Sequence, residues 1–173
     1  MALLIDGYNL LHAAGIFPAS GPPTLERARL ALLDFLVERL PVKDVSRTTI
    51  VFDAVQAPPG LPREINHRGL AVRFARRGGS ADELLEELIA AEPDPRHLTV
   101  VSSDHRVQRA ARQRGAPFID SEVWQVDLQR SAAVRPAAER GDQAAADFDK
   151  QAEDIPNPFP PGYGSDLLGD ADD

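Results

Sequence analysis

The sequence predicts an α/β fold, a three-layer α/β/α sandwich on a parallel sheet, and three observations carry that prediction. Short apolar or β-branched runs alternate along the chain with stretches whose apolar residues recur at helical spacing. The runs are apolar on both faces, as strands covered by helices on each side must be. Right-handed crossovers between parallel strands then leave a sandwich as the economical topology.

Residues 2–5 form the first strand, too apolar for a solvated edge. After a loop around Pro18 to Pro23, Thr24 caps a helix whose stripe is Leu25, Ala28, Leu32, Leu36 and Leu40. Pro41 ends it, having no N–H for the helical ladder. The β-branched run 48–52 is the second strand and stops at Asp53, before a long loop containing Pro and Gly. Residues 70–75 are the third strand, ending in Arg76-Arg77-Gly78-Gly79. Ser80 and Glu83 make a capping box for the next helix, with Leu84, Leu85, Leu88 and Ile89 on its apolar face. The fourth strand, 98–101, runs into Ser102-Ser103-Asp104, and the helix after it closes at Gly115. A brief fifth strand at 117–119 and a short helix over 121–128 complete the body.

Residues 1–128 are therefore expected to form one domain and 129–173 an acidic, largely disordered tail. The tail holds ten acidic against four basic residues, and its end, 154–173, has no basic residue at all. One weak helix is expected between 132 and 150. The tail thus accounts for most of the net charge of −8, and the remaining residues are nearly balanced, so an acidic whole chain does not exclude a nucleic-acid partner. Cysteine is absent, which excludes thiol nucleophiles, disulfides, Cys-ligated zinc and iron–sulfur clusters. The chain starts without a basic leader and has no apolar run near the roughly 18 residues of a membrane span, so a soluble cytoplasmic protein is expected.

Acids gather at one edge of this architecture. Asp6, Asp53 and Asp104 each follow a strand directly, and strand C-termini form the ligand edge of an open parallel sheet. Asp82 reaches the same edge from the first turn of a helix, Glu86 lies one turn deeper on its face, and Asn9 is placed on the loop leaving the first strand. Any one of these alone reads as a turn former, a cap or a solvated surface acid. Together they are like charges that destabilise the fold unless a cation neutralises them. Oxygen donors without sulfur favour Mg²⁺ or Mn²⁺, and such a cation suits phosphodiester hydrolysis.

Arginines lie where phosphates would need them. Arg63, Arg68, Arg73, Arg76 and Arg77 surround the third strand, and Arg106, Arg109, Arg112 and Arg114 follow Asp104. Arg76 and Arg77 precede Gly78-Gly79-Ser80 at a helix start, the position of a phosphate site. The expected substrate contacts are Arg68, Arg73, Arg76 and Arg77, with Ser103 and His105 flanking Asp104. Dinucleotide, P-loop, zinc-protease and serine-hydrolase motifs are missing.

The blocks Asp6-Gly7-Tyr8-Asn9-Leu10-Leu11-His12, Val51-Phe52-Asp53-Ala54, Ser80-Ala81-Asp82 with Glu86, and Ser102-Ser103-Asp104 with Val107-Gln108 resemble the YacP-like branch of the NYN domain family, which is similar in fold to PIN nucleases. The resemblance runs from Leu3 to about Leu128. It implies a PIN-like sheet of strand order 3-2-1-4-5 and a Mg²⁺- or Mn²⁺-dependent ribonuclease. It also implies that Asp6, Asp82 and Asp104 are metal ligands, that Asn9 and Asp53 support them, and that Glu86 completes or orients the site. Some members of the branch cut messenger RNA at the ribosome, so RNA is the expected partner and the ribosome a further one. Ser80 replaces the family's usual Thr and keeps the capping hydroxyl, whereas His105 replaces an Arg and removes a permanent charge. The expected function is endonucleolytic cleavage of single-stranded RNA. The alternatives are a non-catalytic RNA-binding or regulatory module and a small metal-dependent phosphohydrolase.

Overall fold

Leu3, Leu4 and Ile5 have apolar partners on both faces of the sheet, and the strand that carries them accordingly lies at its centre. A computed structural model describes residues 2–16, 24–53, 63–76 and 78–134. The chain begins with β1 (Ala2–Asp6), α1 (Gly7–Ala14), α2 (Leu25–Arg39), the single turn α3 (Val42–Val45) and β2 (Thr48–Phe52). Next come β3 (Glu64–His67), β4 (Leu70–Phe74) and α4 (Ala81–Ala91). After a 3₁₀ turn at Pro95–His97 follow β5 (Leu98–Val101), α5 (His105–Arg114), β6 (Phe118–Ile119) and α6 (Ser121–Val134).

The sheet order is β3-β4-β2-β1-β5-β6. The five strands read from the sequence are β1, β2, β4, β5 and β6, and they are parallel and lie in the expected 3-2-1-4-5 order. The sixth, β3, lies where the sequence predicts only the long loop, and it pairs antiparallel with β4 at the edge. Its turn is Arg68-Gly69, both with positive φ (51° and 93°), the conformation that closes a two-residue hairpin. In Glu64-Ile65-Asn66-His67 only Ile65 is apolar, so no alternation marks the strand; its partner β4 defines it.

Helices α1, α2 and α6 cover one face, over Ile5, Leu32, Leu36, Ile50, Phe52, Leu70, Trp124 and Leu128. Helices α4 and α5 cover the other, over Leu4, Val51, Leu85, Ile89, Val100 and Val107. The predicted caps are present: Thr24 accepts the Arg27 N–H, Ser80 and Glu83 exchange both capping-box bonds, and Gly115 closes α5 in the left-handed region. Helix α6 runs six residues past the boundary expected at 128, and Leu128 belongs to the core. The weak helix and the disorder expected over the rest of the tail lie outside the described residues. No helix among the described residues is long and apolar enough to cross a membrane.

One core residue is an arginine. Arg29 is 1% exposed and lies 5.6, 5.7 and 5.8 Å from the ring centroids of Tyr8, Phe52 and Phe74, while its Nη2 donates to the Tyr8 hydroxyl. A desolvated guanidinium among aromatic rings gains cation–π attraction, and here it ties α2 to the start of α1. Position 29 falls on the apolar stripe of α2, where a charge is the last residue type that a hydropathy pattern expects.

The α1 start also constrains Gly7. A Cβ there would lie 2.3 Å from the Phe52 ring. Gly7→Ala should therefore destabilise the fold by about 1–3 kcal/mol, the usual effect of overpacking. Urea denaturation measures it, and a change below about 0.5 kcal/mol would show that Phe52 yields freely.

Candidate active site at the carboxyl edge of the sheet

Strands β1 and β5 are neighbours, yet the chain leaves β1 toward β2 and returns to β5 on the other side, so the switch in strand order falls between them. Asp6 ends β1 and is the N-cap of α1, and Asp104 is the N-cap of α5. Both aspartates thus serve as helix caps, where the sequence alone offered a turn former. Asp6, 2% exposed, accepts the Asn9 backbone N–H on Oδ1 (3.1 Å) and the Asn9 side-chain amide on Oδ2 (2.5 Å). Asn9 therefore sits in the first turn of α1, not on a loop. Asp104 accepts the N–H groups of Arg106 (2.6 Å) and Val107 (3.2 Å), both on Oδ1.

Ser102 joins the two. Fully buried, it donates from Oγ to Asp6 Oδ2 (3.0 Å) and accepts the Asp104 N–H (3.1 Å). Gln108 holds the Ser102 carbonyl from below, through Nε2 (2.8 Å). These bonds fix both carboxylates at adjacent strand ends while hydrogen bonds reach only one oxygen of Asp104 among the described residues.

Helix α4 adds Asp82. Burial first, then repulsion from Asp104 and Asp6, pushes its carboxyl above the usual aspartate value, and Arg106 opposes the shift. One turn further along α4, Glu86 is clamped by Arg106, whose Nε and Nη2 donate to the two carboxylate oxygens at 2.7 and 2.8 Å. Asp53 directly follows β2, two residues beyond Val51, which is in register with Asp6. Among the described residues, no three His, Asp or Glu side chains form a ready-made metal cage. A hard cation such as Mg²⁺ does not require one, since one or two carboxylates hold it while water and phosphate complete its shell. The oxygen-only donors, and an Asp82 carboxyl raised by burial and by repulsion that Arg106 opposes, fit a cation of that kind.

The arginines divide. Arg73 pairs with Glu64 (3.0 Å) and, with Arg63 and Arg76, lines a cavity of about 230 Å³ between α4 and the β3–β4 edge. Arg68 is at the hairpin tip, 3.6 Å from Asp34, at the end of β4 opposite the acids, because the antiparallel β3 turns the chain away from them. Arg77 lies outside the described residues. The helix start at Gly78-Gly79-Ser80 is closed as a phosphate site by the capping box, since Glu83 occupies the Ser80 N–H. Ser103 is engaged with the start of α6, accepting the Ser121 N–H and donating to Glu122. His105 is exposed and faces Asp120.

Three residues have contacts that the sequence does not signal as roles. Ser102, inside the Ser102-Ser103-Asp104 block, bridges Asp6 and Asp104. Arg106, one of four arginines after Asp104, pairs with Glu86. Asp120 directly follows β6, an acid after an apolar strand like Asp53 after β2. Hydrogen bonding with Glu122 above all, with help from Ser103 and His105, holds Asp120 below the ordinary aspartate value.

The raised Asp82 carboxyl makes a signed prediction. A group whose folded-state pKa lies above its unfolded value costs nothing below the unfolded value, and its full cost appears as pH rises through the folded one. In EDTA, Asp82→Asn should therefore be more stable than the wild type at pH 7, with the advantage vanishing toward pH 3. Urea denaturation across pH tests this; a variant less stable at pH 7 would mean that the charge on Asp82 is already compensated.

Residues 3–154 match the YacP-like NYN domain family. Crystal structures of Rae1 (YacP) from Bacillus subtilis share the fold: one at 23% identity with a TM-score of 0.58, covering 88% of this chain and 84% of that one. A tryptophan-to-leucine mutant of the same protein is 21% identical with a TM-score of 0.56, covering 97% and 91%. No curated protein matches the chain. The four blocks around the acidic edge, the strand order and the matched span lead to one statement of kinship: the chain belongs to the YacP-like NYN domain family, a group of PIN-like nucleases.

Proposed function

We propose that the protein is an endoribonuclease that hydrolyses phosphodiester bonds in single-stranded RNA with the help of Mg²⁺ or Mn²⁺. The observation that supports this reading is the pairing of Asp6 and Asp104 through Ser102 at the strand-order switch, with the Asp82 carboxyl on α4 raised by burial and then by repulsion from both. Asp6, Asp82 and Asp104 are the proposed ligands. A divalent cation there supplies charge stabilisation to a phosphoryl group in reaction.

The remaining work falls to the chain. Asn9 and Ser102 hold Asp6 against rotation, and Asp104 is fixed by its two N–H bonds with its other oxygen left toward the edge. Asp53 supports the set from β2. Arg73 and Arg76, together with Arg63, lie on the β4 side of α4 and bind flanking phosphates by charge. Arg77, Ser103 and His105 remain candidate contacts, with Ser103 acting through the α6 start; Arg68 is set aside because of its place at the far end of β4. Neither the cavity near Arg76 nor a second of about 550 Å³ between α4 and α5 includes Asp6, Asp82 or Asp104. That placement favours a strand laid across an open edge over a small phosphate ester held in a pocket. Messenger RNA at the ribosome is the setting that the family resemblance suggests, in the cytoplasm.

The test is cleavage by the full chain of mixed-sequence single-stranded RNA, single-stranded DNA and small phosphate esters, each with Mg²⁺, Mn²⁺ or EDTA. RNA should be cut internally with either metal and spared in EDTA. Asp104→Asn, which keeps the cap, should lose about two orders of magnitude in rate, with RNA affinity in EDTA retained. RNA binding without cleavage would make the chain a binding module, and turnover of esters alone would make it a small phosphohydrolase.

A further inference from the structure

We infer that Arg106 is the resident cation of the acidic edge and that Glu86 is its anchor, not a metal ligand; the inference rests on the cation reading above and concerns how that site is tuned. Four acids crowd the edge, and their oxygens are unequally free. Both oxygens of Asp6 accept hydrogen bonds, from Asn9 and Ser102. Both oxygens of Glu86 are taken by Arg106. Among the described residues, the carboxylate of Asp82 and Oδ2 of Asp104 accept none. A cation arriving at the edge therefore meets Asp82 and Asp104 first, and Glu86 only if the fork of Arg106 lets go.

The fork is bidentate, although the Arg106 side chain is half exposed. Two parallel N–H···O bonds match the planar guanidinium to a carboxylate, a geometry that lysine does not reproduce. Arg106 is in the first turn of α5, two residues after Asp104, and Glu86 is one helical turn after Asp82 on α4. The pair thus ties the two helices together beside the two open carboxylates, and α4 and α5 lie side by side. Its position gives the guanidinium a second effect: its field falls on Asp82, against the repulsion from Asp104 and Asp6. One permanent charge then stands where a further divalent ion would otherwise be drawn, and it weakens the pull of the edge on the ion that binds.

Mn²⁺ titration of the full chain by calorimetry, without RNA, tests the assignment. Glu86→Gln should leave Mn²⁺ affinity within about threefold of the wild type, because a ligand is not lost. Arg106→Gln should tighten Mn²⁺ binding on the order of tenfold, since it frees Glu86 and removes a nearby positive charge. Arg106→Lys, which keeps the charge, should remain near the wild type. In EDTA at low salt, Arg106→Gln should also lower the thermal midpoint more than Arg106→Lys does, a difference that high salt removes. A tenfold loss of Mn²⁺ affinity in Glu86→Gln would make Glu86 a ligand and overturn the inference alone. Unchanged or weaker binding in Arg106→Gln would overturn it as well. A wild-type chain that binds no Mn²⁺ would overturn the cation reading and the inference together.

Discussion

The hydroxyl of Ser102, sealed at the end of β5, has one proton to give and gives it to Asp6, while its lone pair takes the amide of Asp104. That one group sets the spacing of two carboxylates that would otherwise repel each other across neighbouring strands. Its position follows from the sheet: Ile5 is level with Val101, so the next residues, Asp6 and Ser102, are side by side. Each aspartate then starts a helix, and the helix dipole favours the negative charge at its N-terminus. Both caps use Oδ1; Oδ2 of Asp6 is held by Asn9 and Ser102, whereas Oδ2 of Asp104 accepts no hydrogen bond among the described residues.

Electrostatics divides α4 into two working faces. Asp82 and Glu86 look toward α5, where Arg106 answers one of them. Ser80, Glu83 and Glu87 look toward β4 and line the cavity with Arg63, Arg73 and Arg76. A helix about 10 Å across therefore separates acids that can hold a cation from arginines that can hold phosphates, a distance spanned by a nucleotide or two of extended strand. The whole-chain charge of −8 conceals this arrangement because it sums the two faces and the tail.

The parallel strands and the helix caps were legible because each is written locally, in an apolar or β-branched run, a capping residue or a terminal glycine, whereas the strand order came from the family resemblance and not from any local signal. The acids were legible for a related reason: Asp6, Asp53 and Asp104 each end an apolar run, and the topology gathers such positions at one edge. Less could be read where the deciding partner is distant in sequence. The single apolar residue of β3 gave no alternation, and β4 made it a strand. Arg29 is buried because three aromatic rings from α1, β2 and β4 receive it. Arg68 belongs by sequence to the arginines around the third strand, but the hairpin places it at the end of β4 opposite the acids. Glu86 and Arg106 are 20 residues apart, and only the packing of α4 on α5 reveals that they neutralise each other.

The central claim is that Ser102 sets a pair of carboxylates that act on RNA, and Ser102→Ala measures it most directly. Removing the hydroxyl leaves the Asp104 amide and one oxygen of Asp6 without their shared partner, which should cost about 1–3 kcal/mol of stability. At a temperature where the variant remains folded, its rate of single-stranded RNA cleavage with Mn²⁺ should fall at least about tenfold while RNA affinity in EDTA is unchanged. Wild-type turnover in a folded Ser102→Ala protein would contradict the claim.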